Sequence, residues 1–364
     1  SQANGARNHE EVAALLMRAF LIAGAGGLAV IVLQVPLFWV ALQLAPASAE
    51  VEDMVMTYLS IRVWSAPAMI ALYGVNGWLI ALERTRSVLI IQVVMNGMNI
   101  LLDLWFVLGL GWGVEGVAIA TLISELTGLA VGLWLCRNAL QGQVWWNPSR
   151  IFDRVRLMHM AAVNGDILVR SLMLQAIFVS FLFVGADFGD VTLAANQVLT
   201  QFLQITAYGL DGFAFAAETL VGTALGASNR AALRRGAVLA SVWGMASCVA
   251  LALFFWVQGG WLIDVLTTAP DVRTEARVYL IYMVASPILG ILPWMLDGVF
   301  IGATRTKDMR NMMAISLAIY VGALLLLVPA FGNHGLWGAM LISFVARGIT
   351  LAVKYPALER SVPN

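Results

Sequence analysis

Apolar stretches of 20 or more residues follow one another along almost the whole chain. Each is long enough to cross a hydrocarbon core about 30 Å thick at about 1.5 Å per helical residue. Of the 364 residues, 61% are hydrophobic and only 12% charged, and the mean hydropathy is +0.85. A water-facing domain cannot hide that much apolar surface, so the composition defines an integral membrane protein. In lipid every backbone polar group must be paired within the protein, which leaves helices or a closed barrel. A barrel would show alternating runs of about ten residues with a polar inner face, and none runs through this sequence, so the fold class is all-α. Zero net charge and the lack of a basic run exclude nucleic acid as a partner. Cys136 and Cys248 sit inside or at the end of apolar helices, which argues against a disulfide framework or a metal site.

The apolar segments fall at about 14–44, 54–82, 87–109, 114–136, 157–185, 191–226, 232–266, 274–303, 311–331 and 335–355, which predicts ten transmembrane helices. The connections alternate in charge. Those reading "RNHEE", "ERTRS", "RNALQGQVWWNPSRIFDRVR", "NRAALRR", "TRTKDMR" and "KYPALER" hold 15 of the 21 Lys and Arg residues, and the intervening ones hold two. The basic set belongs on the cytoplasmic side, and the strict alternation supports the helix count. The other four bases, Arg18, Arg62, Arg170 and Arg347, fall within predicted helices.

The opening "SQANGARN" returns as "GTALGASN" at 222–229. With an offset of 221, "GARN" matches "GASN", Tyr58 matches Tyr279, Gly77 matches Gly298, and "RTR" at 84–86 matches "RTK" at 305–307. With an offset of 222, Gly113 and Gly116 match Gly335 and Gly338, while Pro67 and Pro287 are one residue out of step. Duplicated halves of this kind are common in transporters. The division expected is 148–364 as a C-terminal lobe of six helices and 1–147 as an incomplete N-terminal lobe of four helices, the tail of a further one and a cytoplasmic linker. Since "GTALGASN" closes the second helix of the later half, "SQANGARN" is expected to close the second helix of the earlier one, with about 70 residues upstream. The full bundle would then have twelve helices in two lobes related by a pseudo-two-fold axis along the membrane normal.

An ionisable side chain at mid-bilayer costs about 2.5 to 3.5 kcal/mol on insertion scales, so each asks for a partner or a role. In "MNGMNILLDLWFV", Asn96, Asn99 and Asp103 share one helical face. A carboxylate beside amide oxygens can hold a small cation or take up a proton, and a hydrogen-bonded packing cluster is the plainer alternative. Thr121, in "GVAIATLISE", could add a hydroxyl oxygen from the next helix, which Gly116 and Ala120 let approach, or could simply bond its own backbone. In "YLSIRVWSAPAMIALYGVNG", Tyr58, Arg62, Ser65 and Asn76 lie on one stripe that Pro67 interrupts and is expected to bend. Asp166 and Arg170 are four apart, the spacing of an ion pair within one helix. Gln197, Gln201, Gln204, Tyr208, Asp211 and Glu218 form the longest polar stripe, which suits a water-filled cavity or a helix interface. Val321, at the offset of 222 from Asn99, and Leu324, at the offset of 221 from Asp103, are their counterparts in the later half, which places ion chemistry in one half only.

Taken together, "SQANGARN", "NGMNILLDLWFVLGLGWGVEGVAIATLISE", "VNGDILVRSLMLQ" and "LAANQVLTQFLQITAYGLDGFAFAAETLVGTALGASN" resemble the multidrug and toxic compound extrusion (MATE) family, in a bacterial branch of it, over the whole chain. The resemblance implies that the ten segments correspond to family helices three to twelve. It implies a multi-pass transporter of the bacterial cytoplasmic (inner) membrane, in which inward protons or sodium drive export of amphipathic, often cationic, small molecules. By motif it places Asn99 and Asp103 in a cation or proton site with Thr121, and makes Tyr58 and Asn76 lining residues of the same pocket. Where sodium is the coupling ion, Asp103, Asn99 and Thr121 are the residues expected to hold it. Arg62, Asp166, Arg170, Gln204, Asp211 and Glu218 are left as candidates for lining a cavity or for coupling.

The mechanism so implied is alternating access, in which the ion and the cavity state bias one another reciprocally. Small-molecule substrate and membrane lipid are the expected partners, the chain is expected to be monomeric, and no cofactor beyond the coupling ion is implied. A lipid-linked oligosaccharide flippase of related architecture is the nearest alternative. It would need several Arg or Lys in a central cavity for pyrophosphate, whereas the stripes here carry more carboxylate than base. A membrane-embedded prenyl transferase would need clustered Asp residues for Mg²⁺ near a membrane face, and none is found, so no enzyme is expected. The two-lobe repeat also disfavours a channel.

Overall fold

The computed structural model describes residues 1–44, 48–140 and 147–362. Two compact units form: Ser1–Arg7 with Arg154–Asn364, and Asn8–Asp153. The middle of the expected linker, 141–146, lies outside the described residues. A one-turn helix, α1 (Gln2–Gly5), belongs to the first of these units.

The smaller unit opens with α2 (His9–Val32), whose N-cap Asn8 accepts from the Glu11 amide at 3.1 Å, with Glu10 and Glu11 in the first turn where the helix dipole favours acids. The segment 14–44 is not one helix: it divides at Leu33, and α3 (Gln34–Leu44) follows. Pro36 explains the break, because it has no N–H to bond the carbonyl four residues back yet fits the first turn of a new helix. Pro67 acts in the same way. Between α4 (Ala49–Arg62) and α5 (Ala66–Ala81), residues Val63–Ser65 form a 3₁₀ turn, with Pro67 in the first turn of α5. Three residues wound at three per turn shift the helical phase by about 60° from an uninterrupted α-helix, so Asn76 does not come back beneath Tyr58 as a straight stripe requires. Helix α6 (Thr85–Asp103) widens into a π-helical segment, Leu104–Gly109; α7 (Gly113–Cys136) and the short α8 (Pro148–Ile151) follow.

Small residues set the packing. Gly27 of α2 abuts Pro67, and Gly128 and Gly132 of α7 abut Met95 of α6 and Val75 of α5. Arg18 is buried yet fully engaged, donating to Glu11 at 2.8 Å and to the carbonyls of Ile151 at 3.1 Å and Arg150 at 2.5 Å, which ties α8 to α2.

The larger unit contains α9 (Arg154–Ala186), α10 (Asp190–Gly226), α11 (Arg230–Leu266), α12 (Pro270–Gly302), α13 (Thr306–Phe331) and α14 (Asn333–Arg360). Its core gathers Phe202, Phe255, Tyr320, Trp337 and Phe344. Within it Asn196 and Asn333 exchange two amide hydrogen bonds, of 2.7 and 3.0 Å, and Trp337 donates to Asn196 at 2.8 Å. A buried polar group satisfied in this way fixes the start of α14 against α10. Among the described residues, nine helical segments are long and apolar enough to cross a membrane; α10, 37 residues long, is the exception, because its polar stripe lowers its hydropathy.

The duplication legible in the sequence is also built into the backbone. Among the described residues, the four non-glycine residues with positive φ are Arg7 and Ser228, Glu83 and Thr304, two pairs at the same offset of 221. After Glu83 and Thr304 the next amides, of Arg84 and Arg305, reach back to Leu79 and Phe300 at 2.9 Å each, the Schellman closure of a helix. Asn8 and Asn229 then cap the following helices through Glu11 and Ala232, again one repeat apart.

Candidate functional site

In the smaller unit, the Asn99 amide of α6 donates to the Thr121 hydroxyl of α7 at 3.3 Å, and that hydroxyl donates in turn to its own helix at Val117, 2.8 Å away. The Thr121 hydroxyl thus meets Asn99 of the neighbouring helix while bonding its own backbone. Asp103 lies one turn beyond Asn99, where α6 opens into the π-helical segment, a feature that recurs at functional sites. Its Oδ1, like Oδ1 of Asn76 on α5, is buried and accepts no hydrogen bond among the described residues. An acceptor deprived of donors costs about 1–3 kcal/mol, and a cation or a bound proton is what relieves it. Asn96 does not join this set: it is exposed and donates back to Gln92 at 2.9 Å.

Arg62 forks onto Glu125 of α7, both contacts at 2.7 Å, with the Tyr58 phenol beside the same guanidinium. Glu125 ends the motif "GVAIATLISE" and was not marked by any local pattern. The signal that could have found it is the need of a membrane-embedded Arg62 for an acid on a neighbouring helix.

In the larger unit, a cavity of about 540 Å³ is lined by Gln197, Gln204, Asp211 and Glu218 of the α10 stripe, and by Arg170, Asp297 and Arg347. Gln201 and Tyr208 of the stripe are not among its walls, and Tyr208 is 75% exposed. The pairing of Asp166 with Arg170 within α9 does not form. Asp166 takes Arg310 of α13 at 2.5 Å and the Thr306 hydroxyl at 3.3 Å, whereas Arg170 pairs with Asp297 of α12. Interhelical partners win because each then also closes a helix contact, of α9 with α13 and with α12. Arg347 of α14 lies 3.7 Å from the same Asp297 oxygen. Asp297, set in the apolar second half of α12, is likewise marked by no local pattern.

This arrangement of long apolar helices with a few buried polar groups is that of a membrane transporter, and comparison with known proteins agrees. The sequence model of the MatE family matches residues 1–105 and 167–325. The chain is 37% identical over 359 residues to DNA damage-inducible protein F of Escherichia coli K12, covering 97% of this chain and 77% of that protein. It is 23% identical to the chloroplastic Protein DETOXIFICATION 44 of Arabidopsis thaliana, across 80% of this chain and 55% of the plant protein. In fold it matches a MATE transporter of Vibrio cholerae in its bent form with a TM-score of 0.85 at 21% identity, covering 99% of this chain and 82% of that one.

The chain belongs to the MatE family of multidrug and toxin efflux transporters. It spans about three quarters of the bacterial relative and little more than half of the plant one.

Proposed function

We propose that the protein is a cation-coupled exporter of amphipathic, often cationic, small molecules in the bacterial inner membrane, driven by inward protons or sodium at Asp103. The observation that carries this reading is the pair of buried, donor-free oxygens, Asp103 Oδ1 and Asn76 Oδ1, in the unit where Asn99 meets Thr121. Tyr58 and Asn76 complete the pocket in this reading, and Na⁺ would be held by Asp103, Asn99 and Thr121. A site that binds the ion differently in its two access states couples ion entry to substrate exit. Asp103→Asn in the full-length protein should abolish dye efflux while the protein still reaches the membrane. Undiminished efflux would remove Asp103 from the coupling role.

A further inference from the structure

The cavity of the larger unit is not explained by ion coupling at Asp103, and its wall carries both signs of charge. On one side Arg170 and Arg347 share a single carboxylate oxygen, Asp297 Oδ2, so two guanidiniums meet one acid. Arg347 is only 5% exposed, and its Nε finds no acceptor among the described residues; Asp297 Oδ1 likewise finds no donor. A buried guanidinium N–H without an acceptor is costly, and the cost rises with its charge. A ligand carboxylate supplies the missing acceptor and balances the one excess positive charge.

The opposite sign comes from α10. Asp211 and Glu218 line the same cavity. They are not at a remote end of it. Gly298, next to Asp297, packs so tightly on Ala214 that an added Cβ would overlap its carbonyl, which sets Asp297 level with the stretch of α10 between Asp211 and Glu218. The rest of the wall mixes amides and a hydroxyl, Gln175, Asn196, Gln197, Thr200 and Gln204, with apolar and aromatic side chains, among them Trp294, edge-on to Phe344 at 5.6 Å and with the Arg347 guanidinium 5.9 Å above its ring.

We propose that this cavity binds a zwitterionic amphiphile: an aromatic body whose carboxylate is held by Arg347 and Arg170 and whose amine faces Asp211. The volume suits a drug-sized ligand, for which pockets run about 300–1,000 Å³. A ligand of one sign meets an unbalanced charge of its own kind, which is how such a site rejects it. Simple cations meet Arg347, and simple anions meet Asp211 and Glu218.

Three probes with matched bodies test this by isothermal titration against the purified full-length protein in lipid nanodiscs: 4-(aminomethyl)benzoate, 4-methylbenzoate and 4-methylbenzylamine. The zwitterion should bind at least about 10-fold more tightly than either singly charged probe. Arg347→Gln should bring it down to the level of 4-methylbenzylamine, and Asp211→Asn to that of 4-methylbenzoate. Arg347→Lys keeps the charge but withdraws the Nε–H, and should fall between. If 4-methylbenzylamine binds as tightly as the zwitterion to the unsubstituted protein, or if the zwitterion shows no saturable binding, the proposal is overturned without recourse to any variant. Asp103→Asn protein that has lost efflux should bind the three probes in the same order, so failure of this site and failure of the coupling reading are distinct results.

Discussion

Arg62 reaches from α4 to α7 and grips Glu125 with both ends of its guanidinium, Nη1 2.7 Å from Oε2 and Nη2 2.7 Å from Oε1. Their side chains are 16% and 11% exposed, and Ser65 accepts a further bond from Nη1 at 2.8 Å. A fork-to-fork pair of this kind fixes direction as well as distance, and so holds two helices in register. Removing one partner strands the other, and Glu125→Gln should therefore destabilise the protein by about 3–5 kcal/mol. Replacing both at once, Arg62→Met with Glu125→Leu, should be close to neutral because no charge is left behind. Thermal unfolding in detergent reads both. A Glu125→Gln protein as stable as the parent would mean that the guanidinium finds another acceptor.

Gly5 and Gly226 make a reciprocal contact between α1 and α10. A Cβ on Gly5 would overlap the Thr223 carbonyl, and one on Gly226 the Gln2 carbonyl; Gln2 and Thr223, like the two glycines, are one repeat apart. The obstructing atoms are backbone and cannot swing aside. Either substitution to Ala should cost about 1–3 kcal/mol, and the two costs should be similar. Gly322 of α13 meets nothing within 4 Å. There Ala should be neutral or gain up to about 1 kcal/mol from helix propensity. Equal melting shifts at all three positions would show that the crossing of α1 and α10 is not close in solution.

The helices were legible in the sequence because a bilayer imposes one length and one composition on whatever crosses it, and the repeat was legible because both copies keep the residues that end and start helices. Asn8 and Asn229, which end the matched "GARN" and "GASN", are such residues, and each caps the helix that follows it. What local pattern could not show was which buried charges meet. Asp166 and Arg170 have the spacing of a pair, but the partners that hold them, Arg310 and Asp297, lie 144 and 127 residues away in sequence. Spacing along a helix reports only neighbours on that helix, and interhelical geometry decided these cases. The same limit hid Glu125. The break at Leu33 was missed for another reason: Pro36 sits in an unbroken apolar run, and hydropathy does not register a missing N–H.

Asp297 stands between two bases, which makes the order of its variants predictable. Arg347→Gln leaves the pair of Arg170 and Asp297 intact and removes a deeply buried charge, so its effect on stability should be small. Asp297→Asn leaves two guanidiniums facing each other without an acid and should cost about 3–5 kcal/mol. Adding Arg347→Gln to Asp297→Asn should recover part of that loss, since the repulsion goes with it. The melting temperatures of the three proteins test the order. A harsher effect from Arg347→Gln than from Asp297→Asn would show that the cluster is held together by Arg347 rather than by the shared carboxylate.

Thr121 separates packing from coupling. Its hydroxyl is the acceptor for the Asn99 amide and is itself tethered to Val117. Thr121→Val keeps the shape but takes the acceptor away, leaving the amide of Asn99 free to turn from the pocket. Thr121→Ser keeps the hydroxyl. If these oxygens and Asp103 hold the coupling ion, the loss of one such contact, about 1–3 kcal/mol, should raise the proton or sodium concentration for half-maximal efflux by about 5- to 150-fold in Thr121→Val, and Thr121→Ser should restore it. Both proteins should insert normally. A packing role predicts a different result: Thr121→Val would lower the melting temperature while the ion dependence of efflux stays where it was.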